Sequence, residues 1–164
     1  MCNKKPESVA HVLVGCSALA QNKYVTRHNN ALKVLYFELL RELHLIDSVP
    51  AWYSPIRPKT EYITDDIHAL WDIPTYGENH ELKANRIDVK IINHKSKEVI
   101  LEMSYPWVEN REKKDEEKTV KYGPLRWELQ DQYPGYKVHQ YNLIMDVLGG
   151  WSRSMENDLR KLLR

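Results

Sequence analysis

A chain of 164 residues in which 42% are hydrophobic is near the usual size of one domain and can bury one sizeable core. It contains no apolar run near the roughly 18 to 20 residues of a membrane span and no signal-peptide pattern, so we expect a soluble intracellular protein. The formal net charge of +1 gives no global attraction to nucleic acid, so any such contact must come from local basic patches, each equally explained as a solvated charged face.

The first predicted element is an amphipathic helix over residues 22 to 44. Apolar side chains recur there at steps of three and four residues, which gives a helix one apolar face. These side chains are Leu32, Leu35, Tyr36, Leu39, Leu40 and Leu43. Pro50, Pro55 and Pro58 then predict a loop, because proline removes a backbone donor and restricts its predecessor.

Several short strands are predicted in the middle of the chain. Residues 62 to 64 and 69 to 73 each have the length and composition of a short strand. Residues 87 to 93 and 99 to 105 are rich in β-branched and apolar side chains, and the polar stretch 94 to 98 separates them. That arrangement is typical of a β-hairpin.

The last third of the chain is predicted to be helix, strand and helix. Residues 109 to 132 are dense in Glu and Lys and are typical of a helix, which we expect Pro124 to kink or restart. Residues 136 to 147 indicate a strand, Gly149-Gly150 a turn, and residues 151 to 163 a closing amphipathic helix. The predicted order is α-β-β-β-α-β-α, an α/β fold with a mixed sheet flanked by helices.

Two carboxylates in the predicted hairpin stand out. Asp88 lies near the start of one strand and Glu102 in the middle of the next, so strand pairing can bring both to one edge of the sheet. Glu102 also interrupts an apolar strand, where an unpaired carboxylate is costly. Two such acids suit Mg²⁺ and phosphate chemistry. Strand alternation offers another explanation, in which Glu102 simply faces solvent.

Two lysines follow on the next predicted helix. Lys118 and Lys121 lie one turn apart, so their ammonium groups can point to one side. A lysine facing the acids can orient or deprotonate an attacking water and offset phosphate charge. Considered by themselves, the two residues also fit ordinary surface lysines.

Residues near the N-terminus have the types and spacing of zinc ligands. Cys2, His11 and Cys16 provide three ligands, whereas a structural zinc site normally has four. His28, the nearest other residue, is expected to make a surface or capping contact. Since Met1 directly precedes Cys2, no upstream cysteine is present, and we expect zinc to bind weakly or not at all.

These pieces together form a pattern. In chain order it consists of Cys2, Pro6-Glu7-Ser8, His11-Val12-Leu13, Cys16, Tyr24, Arg27-His28, Arg86-Ile87-Asp88, Glu102, Pro106, Glu117-Lys118 and Lys121-Tyr122. The pattern resembles the C-terminal region of non-LTR retrotransposon polyproteins, in which a Cys-Cys-His-Cys zinc finger precedes a restriction-endonuclease-like domain of the PD-(D/E)XK superfamily. The resemblance implies a truncated finger over residues 1 to 21, a nuclease-like domain over residues 22 to 164, and a chain cut from a longer reading frame or mispredicted at its start.

The resemblance also implies roles for the acids. Asp88 matches the aspartate of the family's Arg-Pro-Asp, although Ile87 stands in place of the proline. Glu102 matches the second acid, and the pair would hold Mg²⁺ or Mn²⁺. Asp72 matches a recurrent upstream acid of uncertain role that would also be near the metal.

The basic catalytic group is displaced in this sequence. Ser104 occupies the position where a nuclease of the unshifted pattern has lysine, so the resemblance assigns that role to Lys118 and Lys121 on the following helix. Further residues are predicted to contact DNA within the same interpretation. They are Lys23, Arg27, Lys33 and Tyr122.

The function implied by the resemblance is Mg²⁺-dependent nicking of target DNA in the nucleus. Its expected partners are DNA and the reverse transcriptase domain of the parent polyprotein, with the element's RNA as a further candidate and Zn²⁺ in an intact finger. A second hypothesis is a catalytically silent remnant that only binds nucleic acid or protein. The missing cysteine and Ile87 favour this remnant, whereas the retained acids and lysines favour the enzyme.

Overall fold

The computed structural model describes residues 8–9, 11–16, 25–76, 86–104, 111–146, 149–151 and 153–162, with the backbone alone at 14–15, 99–104 and 153. Cys2 and Lys23 lie outside the described residues. In chain order the elements are a π-helical turn His11–Gly15, α1 Val25–Glu42, β1 Glu61–Ile63, β2 Ile67–Trp71, β3 Val89–Asn93, β4 Glu98–Ser104, α2 Arg111–Gln132, β5 Lys137–Ile144 and α3 Arg153–Leu162.

The five strands form one mixed sheet in the order β1-β2-β3-β4-β5. Strands β1 to β4 are an antiparallel meander, and β5 runs parallel to β4 after the crossover through α2. Parallel neighbours need such a crossover, whereas antiparallel neighbours can be joined by tight turns. The predicted α/β class with a mixed sheet and flanking helices is confirmed at this level.

Helix α1 packs its predicted apolar stripe on one face of the sheet. Leu32, Tyr36 and Leu40 are almost fully buried there against Ala69 and Ile91 of the central strands. Met155 brings α3 into the same cluster. Burial of this stripe is what makes the helix stable in water, since most helical stability in proteins comes from packing of an amphipathic face.

A Schellman motif ends α1. His44 has a positive φ of 57°, and its N–H donates to the carbonyl of Arg41 while the N–H of Leu45 donates to the carbonyl of Leu40. Glycine usually occupies the left-handed position of this motif. The partly buried Leu45 packs against the same cluster as Leu40, and this apolar contact stabilises the end of the helix.

The predicted hairpin is confirmed as β3 and β4, with Ile91 paired to Ile100. The Asn93 side chain shapes its turn by accepting hydrogen bonds from the backbone N–H groups of Lys95 and Ser96, both at 3.0 Å. This is the local bonding that makes asparagine a turn residue. The register of the two strands is thereby fixed.

The predicted number of strands before α2 and the predicted restart of the helix at Pro124 are wrong. The short strand predicted at residues 62 to 64 is present as β1 and pairs with β2 through Tyr62 and Ala69, so four strands precede α2 and not the three of the predicted order. Helix α2 is continuous through Pro124, with no restart. The Val120 carbonyl, which lacks its usual donor because proline has no N–H, belongs to a residue that is 77% exposed, so water can satisfy it.

Candidate functional site

The two predicted acids lie at the same end of the β3–β4 hairpin, opposite its turn. Lys90 of β3 pairs with Leu101 of β4. Asp88 precedes Lys90 by two residues, and Glu102 follows Leu101 directly. The backbones of Asp88 and Glu102 are therefore close neighbours in the sheet. The Glu102 side chain lies outside the described residues, so convergence of the two carboxylates stays a prediction.

Asp88 is paired with His28, a contact that was not predicted from the sequence. The His28 Nε2 lies 3.2 Å from the Asp88 carboxylate, and the two side chains are only 12% and 26% exposed. His28 also contacts the Asn29 side chain at 3.0 Å through Nδ1. The expected surface or capping contact of His28 is wrong, because the first turns of α1 lie over the start of β3. The sequence did carry a signal for this position: His28 lies four and seven residues before Leu32 and Leu35, which places it on their side of the helix.

Asp72 lies beside this pair, directly after β2. Its positive φ of 51° turns the chain so that its N–H donates to the Asp88 carbonyl at 2.8 Å. Its carboxylate accepts two hydrogen bonds from Arg86, at 2.7 and 2.8 Å. These hydrogen bonds, and then the charge of Asp72, raise the pKa of Arg86. Asp72 can therefore bind a metal ion only if the Arg86 guanidinium leaves its carboxylate.

We call the end of the β3–β4 hairpin that carries Asp88 and Glu102 the acid edge. Tyr122 connects the two predicted lysines to it. Lys121 Nζ donates to the Tyr122 hydroxyl at 2.9 Å, and that hydroxyl donates to the carbonyl of Arg86 at 3.1 Å. Lys118 Nζ lies 5.3 Å from the centre of the Tyr122 ring and Lys121 Nζ 4.5 Å. Both ammonium groups thus gather around one ring whose hydroxyl reaches the chain two residues before Asp88.

Three of the residues predicted to contact DNA make hydrogen bonds within the protein. Tyr122 is only 3% exposed, which differs from the exposed stacking surface expected of a DNA contact. Arg27 donates to the Leu13 carbonyl at 2.9 Å. Lys33 is 8% exposed and donates to the Ser54 carbonyl. Arg27 and Lys33 therefore tie the N-terminal turn and the following loop to α1, and their role in DNA binding stays a prediction.

The predicted zinc ligands are only partly within the described region. Cys16 is a buried free thiol, and His11 lies in the π-helical turn, where its N–H donates to the Ser8 hydroxyl. Within the described segments, no group of three or more His, Cys, Asp or Glu side chains is arranged to hold a metal ion. The zinc predictions consequently stay untested expectations.

A polar cluster beneath α2 was missed by the sequence analysis. The Asn142 amide donates to the carboxylate of Asp115 at 2.6 Å and to the hydroxyl of Thr119 at 2.9 Å, and it accepts from Gln140 at 2.8 Å. Gln140 also donates to the carbonyl of Lys118 at 3.1 Å. Strand β5 therefore positions the lysine-bearing part of α2. Polar residues at alternate positions, 140 and 142, were the signal for a shared polar face.

No protein-family model and no curated protein matches the chain. Among the helices of the described residues, none has the length and apolar character needed to cross a membrane.

Proposed function

We propose that this chain is a Mg²⁺-dependent DNA endonuclease domain with a restriction-endonuclease-like fold, derived from a non-LTR retrotransposon polyprotein. The observation that carries the proposal is the β3–β4 register, which brings the backbones of Asp88 and Glu102 to one end of the hairpin. The crossover from β4 through α2 to β5 supports it, because this connection returns the lysine-bearing helix across the sheet.

The residues at this edge fit a magnesium ion by their chemistry. Asp88 and Glu102 offer carboxylate oxygens, the ligands Mg²⁺ prefers, and the few protein ligands leave positions for water and phosphate. When bound, the ion would supply charge stabilisation at the phosphate and make water a better nucleophile. His28 holds the Asp88 carboxylate in place, at 3.2 Å, much as second-layer groups orient metal ligands in general.

The lysines supply the positive charge that Ser104 lacks. Lys121 sits on a hydrogen-bond chain through Tyr122 to the carbonyl of Arg86, so its position is fixed relative to the start of β3. Lys118 shares the same ring. A fixed ammonium group beside a scissile phosphate orients the attacking water and offsets the charge that develops in the transition state. In the proposed reaction, water attacks phosphorus, one P–O ester bond breaks, and the leaving oxygen takes up a proton.

One observation favours a second function, a catalytically silent DNA-binding remnant. Asp88 is paired with His28 and Asp72 with Arg86, so both acids already have partners that compete with a metal. In either case we propose DNA as the main ligand and the element's RNA as a further one, a nuclear location, and the reverse transcriptase domain of the parent polyprotein as partner.

The deciding experiment is nicking of a supercoiled plasmid with Mg²⁺, with Mn²⁺ and with EDTA. We expect metal-dependent nicking that Asp88→Asn or Glu102→Gln lowers by roughly a hundredfold or more while DNA affinity changes little. Asp65→Asn is the matched acid control, because Asp65 is exposed in the turn between β1 and β2. DNA binding without any metal-dependent nicking by the unmodified chain would establish the silent remnant instead.

The lysines are tested in the same assay. Lys118→Ala and Lys121→Ala should each lower the nicking rate on the order of a hundredfold and leave binding nearly intact. Lys113→Ala is the control, since Lys113 is an exposed lysine on the same helix. A lysine that serves only phosphate binding would instead weaken affinity and reduce the salt slope by about one unit. Unchanged nicking in the double variant would refute the lysine mechanism.

A further inference from the structure

An open groove of about 840 Å³ lies between the N-terminal half of α1 and the proline-containing loop that follows it. We name it the aromatic–basic groove. The residues that define it here are Asn30, Lys33, Trp52, Tyr53, Pro55 and Arg57. Nothing in the catalytic proposal uses this groove, although it adjoins the acid edge.

The groove presents two aromatic rings to solvent. Trp52 is 74% exposed and Tyr53 is 75% exposed, and their ring centroids are 5.6 Å apart with nearly perpendicular planes. Neighbouring exposed aromatic rings of this size are a common mark of a binding surface. Their faces are available to stack on flat apolar groups.

The loop that carries these rings is held in place. The N–H of Ser54 donates to the carbonyl of Ala51 at 2.8 Å, and the N–H of Ile56 donates to the hydroxyl of Ser54 at 3.2 Å. Lys33 anchors the same segment to α1 by donating to the Ser54 carbonyl. A loop fixed in this way loses little conformational freedom when a ligand binds, which favours affinity.

The charge of the groove has one sign. Arg27, Lys33 and Arg57 line it, and no Asp or Glu is among its lining residues. Lys33 and Arg27 donate to backbone carbonyls, so these hydrogen bonds leave their positive charge in place. Arg57 is exposed, with no ion pair to any residue in the described part of the chain. The groove therefore suits a ligand that is both anionic and flat.

The groove also continues toward the acid edge. A second cavity of about 270 Å³ shares Asn30, Lys33 and Arg57 with it and is lined at its other side by Trp71 and Asp72. The N–H of Asp72 donates to the carbonyl of Asp88. A polymeric ligand seated in the groove can thus extend to the proposed cleavage site.

We propose that the aromatic–basic groove binds an unpaired stretch of DNA, with bases stacked on Trp52 and Tyr53 and phosphates facing Arg57. Aromatic platforms in a positively charged groove are how proteins bind single strands without reading sequence. A duplex hides the faces of its bases and so cannot use such a platform. The position of this strand relative to cleavage rests on the proposed nuclease function, whereas the binding itself does not.

Fluorescence anisotropy with a labelled oligothymidine of about 12 nucleotides, measured in EDTA, tests the proposal. Trp52→Ala and Tyr53→Ala should each weaken binding by roughly five- to 150-fold, the effect of losing one base–aromatic stack. Trp52→Phe should retain most of the affinity. Trp127→Ala is the matched control, because Trp127 is 67% exposed on α2 and does not line the groove. Circular dichroism and thermal melting verify that each variant is folded.

The charge of the groove is tested separately. Arg57→Ala should reduce the slope of log affinity against log salt by about 0.7, the value for one phosphate of a single strand. Arg126→Ala, at an exposed arginine of α2, should leave the slope unchanged. A matched duplex should bind more weakly and should not respond to Trp52→Ala, and an oligouridine arm decides whether RNA competes for the groove.

The proposal is overturned if oligothymidine binding is absent, if Trp52→Ala and Tyr53→Ala leave it unchanged, or if Trp127→Ala weakens it equally. It also fails if duplex binding depends on Trp52 to the same degree. Loss of nicking together with intact Trp52-dependent binding would refute the nuclease and keep the groove, whereas nicking without Trp52-dependent binding would do the reverse.

Discussion

The two faces of the sheet are held by different interactions. Among the described residues, the face under α1 and α3 has ten buried side chains in its cluster, drawn from two helices and three strands, whereas the face under α2 has five. On the α2 face, the buried Asn142 and its partners Asp115 and Thr119 replace part of the apolar contact. Apolar packing thus dominates the α1 face, whereas apolar packing and hydrogen bonds together hold the α2 face.

The candidate site receives contacts from the helices on both faces of the sheet. Asp88 turns toward α1 and contacts His28, whereas Tyr122 of α2 reaches the carbonyl of Arg86, two residues earlier. An apolar cluster tolerates small shifts, because its contacts have no preferred direction. Hydrogen bonds require specific distances and angles. We therefore infer that the α2 face sets the position of the lysines, while the α1 face supplies most of the stability.

The largest expected effect comes from Leu40→Ala on the α1 face. Leu40 has no exposed surface and lies in the larger cluster, so truncation leaves a cavity that costs about 2 to 5 kcal/mol of unfolding free energy. We expect a value toward the upper end, because side chains from two helices and the sheet surround the site and limit collapse. Urea denaturation followed by circular dichroism measures it.

Leu125→Ala is the matched variant on the α2 face. Leu125 also has no exposed surface and also lies within a helix, so helix propensity affects both variants alike. The smaller cluster should collapse more easily and give a loss toward the lower end of the same range of about 2 to 5 kcal/mol. An equal or larger loss for Leu125→Ala would contradict the proposed difference between the faces.

The second prediction concerns the polar cluster on the α2 face. Asn142→Leu keeps the number and branching of the side-chain heavy atoms but leaves Asp115 and Thr119 without their donor, which should cost about 1 to 3 kcal/mol. Amide hydrogen exchange should rise in the N-terminal half of α2 more than in α1. Thr119→Val removes only one of the acceptors and should cost less, on the order of 1 kcal/mol. Uniform exchange changes across both helices would argue against a local role.

The same contrast explains what the sequence predicted. The apolar spacing in α1 determines its buried face, because burial of Leu32, Tyr36 and Leu40 depends only on helical periodicity. The β3–β4 hairpin was likewise predicted from strand composition and its polar turn. Both features are local in the sequence, and the structure confirms both.

The rest depends on partners that are distant in the chain. His28 and Asp88 are 60 residues apart, and nothing in the local sequence around either of them specifies the contact. Asn142 depends in the same way on acceptors from α2. Polar contacts between distant segments are therefore where sequence reasoning about this site ends.

The smallest expected effect concerns Lys90 of β3, which is partly buried and which strand alternation places on the same face of the sheet as Ile92. Burial lowers the pKa of Lys90, which means that the folded state holds this proton less tightly than the unfolded state does. The resulting loss of stability is complete below the folded-state pKa, and it disappears as the pH rises toward the ordinary lysine pKa of about 10.4. Lys90→Met removes the charge and keeps the length of the side chain.

We therefore expect Lys90→Met to raise the free energy of unfolding near pH 7 by about 1 kcal/mol or less, a rise of roughly 2 to 4 °C in Tm. The difference from the unmodified chain should shrink as the pH rises toward the ordinary lysine pKa, because the folded unmodified protein then loses the proton that caused the penalty. Lys95→Met, in the exposed hairpin turn, is the control and should show no such trend. A gain that stays constant with pH would mean that added apolar contact, and not relief of a buried charge, stabilises the variant. Destabilisation at pH 7 would mean that other groups of the folded protein compensate the positive charge of Lys90, and the proposed penalty for burying that charge would be wrong.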